Sequence, residues 1–212
     1  MIKTIIFDFD GTIADTFQSA IEIINSLANK YGFKKFENEE IKRLRSKSMR
    51  DILKELHISL FKLPAAINDF TTLAQKTMLS QHPIEKMPQL LNKINSKGYD
   101  LYIITSNSVE NVSIFLNKHN LTFVKHIYSD KSLFGKHIVI SRFLKKFQIK
   151  KENAIYVGDE IRDIEAAHKS EIKIISVTWG FNSEEILNHH SPDYLVTQPK
   201  QISDVLEKIN SL

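Results

Sequence analysis

The 212-residue chain contains no cysteine, and it has only six glycines, five prolines and one tryptophan. Without cysteine it can form neither a disulfide nor a thiolate-bound metal site. So little glycine and proline argues against a disordered or linker-rich chain. The apolar runs are no longer than a strand, and charge interrupts the N-terminus before a signal-peptide core develops, so we expect no membrane span. These absences favour a cytoplasmic globular protein.

Charge and composition narrow the function classes further. The net charge is a mild +4, and the lysines are spread along the whole sequence, so we expect no nucleic-acid partner. A hydrophobic content of 42% and a charged content of 25% are ordinary for a globular protein. The length suits one α/β core, with or without a small inserted domain. A monomer and a homodimer both remain open.

Short apolar segments alternate with helical patterns along most of the chain. The segments rich in Ile, Val, Tyr and Phe predict buried parallel strands at Thr4–Phe9, Asp100–Thr105, His126–Ser129, Ala154–Val157 and Lys173–Val177, with a sixth, edge strand at Asp193–Val196. Helical patterns occupy Pro88–Ser96, Val109–Asn117, Lys136–Phe147, Ile161–Lys169, Ser183–Asn188 and Pro199–Ile209. This alternation predicts an α/β fold with a doubly wound, Rossmann-like parallel sheet.

The segment 16–82 breaks the alternation. It contains four helical patterns and no convincing strand, although a first strand-to-helix connection normally needs far fewer residues. We therefore predict an α-helical domain at 16–82, inserted into a core domain formed by 1–15 and 83–212.

Polar residues follow the predicted strands where those strands end. Asp8 and Asp10 follow the first, Thr105, Ser106 and Asn107 lie at the end of the second, and Lys136, Asp159 and Asp163 follow later strands. Ligands bind outside the carboxyl ends of strands in open α/β sheets, so we expect these side chains to meet. The spacing of Asp159 and Asp163 would place both on one face of a helix's first turns.

Four carboxylates at one edge need a compensating cation. Oxygen ligands with few imidazoles favour Mg²⁺, and Lys136 with Thr105 would suit a phosphate beside the metal. Each motif by itself also has an ordinary structural interpretation. An Asp-x-Asp-Gly sequence can be a turn, and Asp159 can cap a helix. Their order and common location make a catalytic site the better interpretation.

These motifs resemble those of the haloacid dehalogenase-like hydrolase superfamily. "DFDGT" (8–12), "IITSN" (103–107), Lys136 and "VGDEIRD" (157–163) resemble its four motifs in order. Within the superfamily the chain is similar to the phosphoglycolate phosphatase and β-phosphoglucomutase branch, which carries a helical cap after the first strand. The resemblance implies a Mg²⁺-dependent phosphatase acting on a small phosphorylated metabolite.

The resemblance also implies a role for each motif residue. Asp8 would be the nucleophile that forms an aspartyl-phosphate, and Asp10 the general acid and then the general base. Mg²⁺ would be held by Asp8, the main-chain carbonyl of Asp10 and Asp159, with Asp163 bound directly or through water. The phosphate-binding residues would be Thr105, Ser106, Lys136 and Gly11.

The helical insertion departs from the family where relatives often have glycine. "LRSKSMRD" (44–51) has three basic residues instead, Arg45, Lys47 and Arg50. One interpretation is that they bind the non-reacting end of the substrate, and the other is a solvated turn between helices. Two alternatives to a phosphatase also stay open: a sugar phosphomutase with the same motifs, and a non-catalytic phospho-ligand-binding regulator.

Overall fold

Six parallel strands form one sheet in the computed structural model, which describes residues 1–59, 61–129 and 135–211. The strands lie in the order β3-β2-β1-β4-β5-β6, and each neighbouring pair is parallel. Their bounds are β1 Thr4–Phe7, β2 Asp100–Thr105, β3 His126–Ser129, β4 Ala154–Gly158, β5 Lys173–Val177 and β6 Tyr194–Val196. The predicted fold class is confirmed.

Helices connect the strands, and the α-helices of the described residues are α1 Phe17–Tyr31, α2 Asn38–Leu44, α3 Met49–Glu55, α4 Leu63–Thr77, α5 Met87–Ser96, α6 Val109–Lys118, α7 Lys136–Lys146, α8 Ile161–Lys169, α9 Glu184–His189 and α10 Lys200–Asn210. Short 3-10 turns occupy Met78–Ser80 and Lys151–Asn153. Within the described residues, no helix combines the length and the apolar character that crossing a bilayer requires.

The sheet is covered on both faces, as its apolar strands require. Successive side chains of a strand point to opposite faces. Accordingly Ile5 and Phe7 pack in one buried cluster, while Ile6 between them packs in another. Helices α5, α6 and α10 contribute to the first cluster, and α7 and α8 to the second. This double cover fixes the sheet and leaves its carboxyl edge to carry polar side chains.

β1 ends at Phe7, two residues earlier than the sequence predicts. The Asp8 N–H still donates to the Val157 carbonyl at 2.8 Å, but the chain then turns. The Phe9 carbonyl accepts hydrogen bonds from the N–H groups of three residues in that turn, Thr12, Ile13 and Ala14. The turn takes Asp8 out of the strand and aims the following residues across the edge of the sheet.

Helices α1 to α4 lie between β1 and β2 in the chain, as the four helical patterns predict. Two connecting segments join them to the sheet and lie side by side. The Asp15 N–H donates to the His82 carbonyl at 2.9 Å, and the Ile84 N–H donates to the Ile13 carbonyl at 2.9 Å. The helices also bury a small apolar cluster of their own, which includes Ile23, Leu27, Tyr31 and Ala66.

Candidate active site

Asp8 and Asp159 follow two neighbouring strands at the carboxyl end of the sheet. Asp8 comes directly after β1 and Asp159 directly after β4. Carboxylate oxygens of Asp8, Asp159 and Asp163 lie within 4.8 Å of one another, and all three side chains are buried. The structure thus brings together three of the four carboxylates that the sequence analysis singles out. The side chain of Asp10 lies outside this group.

The Lys136 ammonium joins the acidic group. Its Nζ lies 2.9 Å from a carboxylate oxygen of Asp8 and 2.5 Å from one of Asp163. Lys136 is the first residue of α7, and only 8% of it is exposed. Burial opposes its charge, but the carboxylates of Asp163 and Asp8 outweigh burial and raise the pKa of Lys136 well above its usual value. Lys136 is therefore charged, and it compensates two of the acids.

Asp159 accepts hydrogen bonds at both carboxylate oxygens. The Thr12 hydroxyl donates to one at 2.6 Å, and the Phe181 N–H donates to the other at 2.7 Å. Burial, followed by the charges of Glu160 and Asp8, nevertheless raises the pKa of Asp159 well above its usual value. The ionised form of Asp159 is costly here without a further positive charge.

Glycines make room for these carboxylates. A Cβ atom on Gly11 or on Gly180 would overlap the Asp159 carboxylate, and one on Gly158 would overlap the side chain of Asp163. Gly11 also has a φ of +74°, a backbone conformation that residues with side chains disfavour, so glycine suits this tight turn. These positions tolerate no larger residue while the acids keep their places.

Asp163 is fixed by the start of α8. Its carboxylate accepts a hydrogen bond from the Glu160 N–H at 3.1 Å, and Glu160 caps the helix with an extended backbone. The helix begins at Ile161, so Asp159 precedes it and is not in its first turn. The expectation that one helix face carries both acids is therefore wrong. The bend at Glu160 still brings their carboxylates together.

Asp10 faces Asn107, which follows β2. The Asn107 side-chain amide donates to the two carboxylate oxygens of Asp10, at 3.3 and 3.1 Å. Burial, with a smaller contribution from Asp8, raises the pKa of Asp10 to about 6, whereas the hydrogen bonds from Asn107 oppose that shift. Asp8 and Asp10 are thus held by different partners, Lys136 in one case and a neutral amide in the other.

Thr105 and Ser106 lie at the end of β2, beside Asp10. The Thr105 hydroxyl is buried and accepts a hydrogen bond from the Asn107 N–H at 3.0 Å. Ser106 lines the same cavity as Asp10 and Asn107. Both residues therefore lie at the predicted edge of the sheet.

Three basic residues of the insertion, Arg45, Lys47 and Arg50, lie in or next to the turn between α2 and α3. The Arg45 guanidinium donates to the carbonyls of Thr178 and Gly180, at 3.2 and 2.7 Å. Lys47 forms an ion pair with Glu55. Arg50 is exposed, in the first turn of α3. The contacts of Arg45 join the insertion to the loop that follows β5.

The three buried carboxylates form a group that could hold a metal ion. Asp8, Asp159 and Asp163 offer hard oxygen ligands, which Mg²⁺ prefers. Lys136 compensates Asp8 and Asp163, whereas the raised pKa of Asp159 marks a charge still in need of a partner. The residues present therefore fit a divalent cation.

Comparison with known protein families shows to which family the chain belongs. A family model described as haloacid dehalogenase-like hydrolase matches residues 5–177, from β1 to the end of β5. This chain belongs to the haloacid dehalogenase-like hydrolases. The resemblance seen in the motifs is confirmed.

Relatives of this hydrolase are phosphatases. A phosphoglycolate phosphatase from Synechococcus elongatus is 27% identical over 212 residues, covering 100% of this chain and 99% of the relative. A pyrophosphatase from Bacillus mycoides is 21% identical and covers 99% of each chain. A haloacid dehalogenase-like family hydrolase from Streptococcus pneumoniae has the same fold, with a TM-score of 0.81 at 23% identity over 97% of this chain and 98% of that one. The prediction of a phosphatase enzyme is confirmed at this level.

Two further residues of the hydrolase lie at this site, although no role was predicted for them from the sequence. Asn107 contacts Asp10, and its own side-chain oxygen accepts from the Ser108 N–H and the Asn111 amide, both at 2.8 Å. Arg162 pairs with Glu160 at 2.5 Å and lines the cavity beside Asp10. Asn107 follows Ser106 directly in the second motif, which was a usable signal. For Arg162 the sequence held no such signal, apart from its position inside the fourth motif.

Proposed function

We propose that the chain is a Mg²⁺-dependent phosphatase that hydrolyses a small phosphorylated metabolite through an aspartyl-phosphate on Asp8. The observation that carries this proposal is the division between the two N-terminal acids. Asp8 is 2% exposed and bound to the Lys136 ammonium, whereas Asp10 has a pKa raised to about 6 and faces the cavity. One acid suits attack, and the other suits carrying a proton near neutral pH.

In the first half-reaction an Asp8 carboxylate oxygen attacks phosphorus. The bond between phosphorus and the leaving oxygen breaks as the new bond forms, and Asp10 gives its proton to the departing alkoxide. Asn107 holds the Asp10 carboxylate in place for this transfer. Lys136 attracts the phosphoryl oxygens while it stays bound to Asp8, and Thr105 and Ser106 bind them from the end of β2.

In the second half-reaction Asp10, now ionised, takes a proton from water. The resulting hydroxide attacks phosphorus, the bond to Asp8 breaks, and inorganic phosphate leaves with the Asp8 carboxylate restored. The two steps replace one very slow hydrolysis with two easier ones.

Asp8, Asp159 and Asp163 would hold Mg²⁺, with the Asp10 main-chain carbonyl as a further ligand. A bound cation neutralises the charge of the phosphoryl oxygens as the transfer proceeds. The Thr12 hydroxyl and the Phe181 N–H orient Asp159 for this role.

We further propose that residues 16–82 form a cap domain over a core made of 1–15 and 83–212. The paired connecting segments at Asp15 and His82 support a hinge, and the cavity lined by both parts supports a cover over the site. Closure would exclude water from the first half-reaction. A cytoplasmic location stays a prediction.

The test is release of phosphate from p-nitrophenyl phosphate by the wild type and by Asp8→Asn, each with Mg²⁺ and with EDTA. Without its nucleophile Asp8→Asn should retain less than about a thousandth of the activity. The matched control is Asp204→Asn, an exposed aspartate on α10, which should behave as the wild type. Substantial turnover by Asp8→Asn would refute the nucleophile, and activity unaffected by EDTA would refute the metal. Isomerisation of hexose 1-phosphates without phosphate release would favour the mutase instead.

A further inference from the structure

A cavity of about 250 Å³ extends from the candidate active site into the helical insertion. Its inner end is formed by residues that follow the strands of the sheet, including Asp10, Ser106 and Asn107. The remainder runs between α1, α3 and α4, among side chains such as Ile23, Leu53 and Phe70. One continuous space therefore joins Asp10 and Ser106, at the edge of the proposed phosphate site, to the interior of the insertion, while Asp8 and Lys136 do not line it.

The charges in this cavity lie at one end. Asp10, Glu160 and Arg162 line it from the sheet side. Among the described residues that line it, the insertion contributes aliphatic and aromatic side chains with a few hydroxyl and amide groups, and no charged one. A carboxylate or second phosphate placed there would lose its hydration without gaining an ionic partner, which is costly.

The basic residues of the insertion do not change this distribution. Arg45, Lys47 and Arg50 are all absent from the lining of the cavity. Arg45 instead donates to main-chain carbonyls after β5, and Lys47 pairs with Glu55. Among the residues that the structure describes, the part of the cavity within the insertion thus has no charged side chain to pair with an anionic group.

Apolar side chains around the cavity are left partly uncovered. The described side chains of α3 are nowhere fully buried, and its Ile52 and Leu53 are half-buried beside the cavity. Ile67 and Phe70 of α4 are half-buried as well. Apolar surface of this kind gains free energy when an apolar group covers it.

We propose that this site takes phosphate monoesters whose alcohol carries an apolar alkyl or aryl arm, and that the arm occupies the cavity. The inference rests on the proposed phosphatase function and narrows its substrate class. The phosphoryl group lies at Asp8, the ester oxygen faces Asp10, and the arm extends between α1, α3 and α4. The whole cavity exceeds the dry apolar cavity of about 150 Å³ that holds benzene, so it has room for an arm of about the size of one ring.

The test measures kcat/KM for a ladder of butyl, hexyl and octyl phosphate, beside the polar esters glycerol phosphate and phosphoglycolate. Burial of each added methylene should raise kcat/KM by roughly two- to fourfold. The polar esters should fall below hexyl phosphate. The inference would be overturned if kcat/KM did not rise with chain length, or if the polar esters were turned over faster than octyl phosphate.

A pair of neighbouring alanines on α4 supplies matched variants. Ala66 is 8% exposed and lines the cavity, whereas Ala65 is exposed and lies outside it. Ala66→Leu fills the space, so it should lower kcat/KM for octyl phosphate at least about tenfold relative to butyl phosphate. Ala65→Leu should show the same dependence of kcat/KM on chain length as the wild type. An unchanged ladder in a folded Ala66→Leu would also contradict the inference.

Binding of non-hydrolysable alkylphosphonates to the wild type, measured by calorimetry, separates this inference from the proposed function and needs no variant to fold. Tighter binding with each methylene but no Asp8-dependent hydrolysis of any ester would support the arm site and refute the phosphatase. Asp8-dependent hydrolysis of p-nitrophenyl phosphate with no chain-length dependence of binding would support the phosphatase and refute the arm site.

Discussion

The side-chain amide of Asn107 donates to both carboxylate oxygens of Asp10, at 3.3 and 3.1 Å. The orientation of that amide is itself determined, because its oxygen accepts from the Ser108 N–H and from the Asn111 side chain. A row of neutral amides therefore positions the acid that we assign to proton transfer. An ionic partner would hold Asp10 ionised, but a neutral one leaves the carboxyl free to gain and lose its proton.

Replacing Asn107 should lower activity without removing it. Asn107→Leu keeps the approximate size of the side chain but deletes the bonds to Asp10. A hydrogen bond to a charged group contributes about 1.5–3 kcal/mol, so we expect kcat for p-nitrophenyl phosphate to fall roughly 10- to 100-fold. Asn117→Leu, on the exposed side of α6, is the matched control and should leave kcat unchanged. Equal kcat values for Asn107→Leu and the wild type would contradict the positioning role.

Removing the charge of Lys136 should destabilise the metal-free protein. Lys136→Met preserves the length of the side chain but leaves Asp8 and Asp163 without their cation. Breaking a buried ion pair in this way costs about 3–5 kcal/mol, which urea unfolding in EDTA would measure. Mg²⁺ should restore part of that loss, because it compensates the same carboxylates. Lys145→Met, an exposed change on the same helix, should alter neither result.

Substitution of Asp159 should have opposite effects with and without Mg²⁺. In Asp159→Asn the amide oxygen can still accept from the Phe181 N–H, while the amide donates to the Thr12 hydroxyl. Because burial and neighbouring acids raise the pKa of Asp159, its ionised form destabilises the metal-free native state at neutral pH. We expect Asp159→Asn to unfold at a higher temperature than the wild type in EDTA. In Mg²⁺ the order should reverse, since a ligand at 100 times its Kd stabilises by about 2.7 kcal/mol.

The same substitution has a predicted pH dependence. As pH falls toward the ordinary carboxyl range, Asp159 in the native wild type takes up a proton before it does so in the unfolded chain. The advantage of Asp159→Asn in EDTA should therefore shrink with falling pH. A constant difference between pH 8 and pH 5 would show that the charge of Asp159 is not what destabilises the metal-free protein.

Asn182 connects the insertion to the start of α8, and a single change should weaken that connection. Its side-chain amide donates to the carbonyls of Arg45 and Lys47, at 3.0 and 2.9 Å, and its oxygen accepts from the Ile161 N–H at 2.9 Å. Asn182→Asp keeps the acceptor for Ile161 but turns an oxygen toward the two carbonyls. We expect faster hydrogen exchange across residues 44–48 and a higher KM, with Asn188→Asp as the exposed control. Unchanged exchange there would contradict the proposed contact between cap and core.

Much of the site follows from sequence order because of one property of parallel sheets. Carboxyl ends of parallel strands meet at one edge, so residues that follow β1 and β4 come together although about 150 positions separate them. That Asp8, Asp159 and Lys136 lie close together could be predicted on this basis. The short, apolar strands likewise determined the sheet, since each needs cover on both faces.

The tertiary structure decided what each polar group contacts. Asn107 could have faced solvent, and only the packing of β2 beside β1 directs its amide to Asp10. Arg45 carries the same charge whether it binds substrate or main-chain carbonyls, and the position of the loop after β5 selected the carbonyls. The helical patterns at 16–82 required buried apolar faces but left open what those faces enclose. That they line a cavity reaching Asp10 depends on how far apart α1, α3 and α4 lie, a distance that no local pattern encodes.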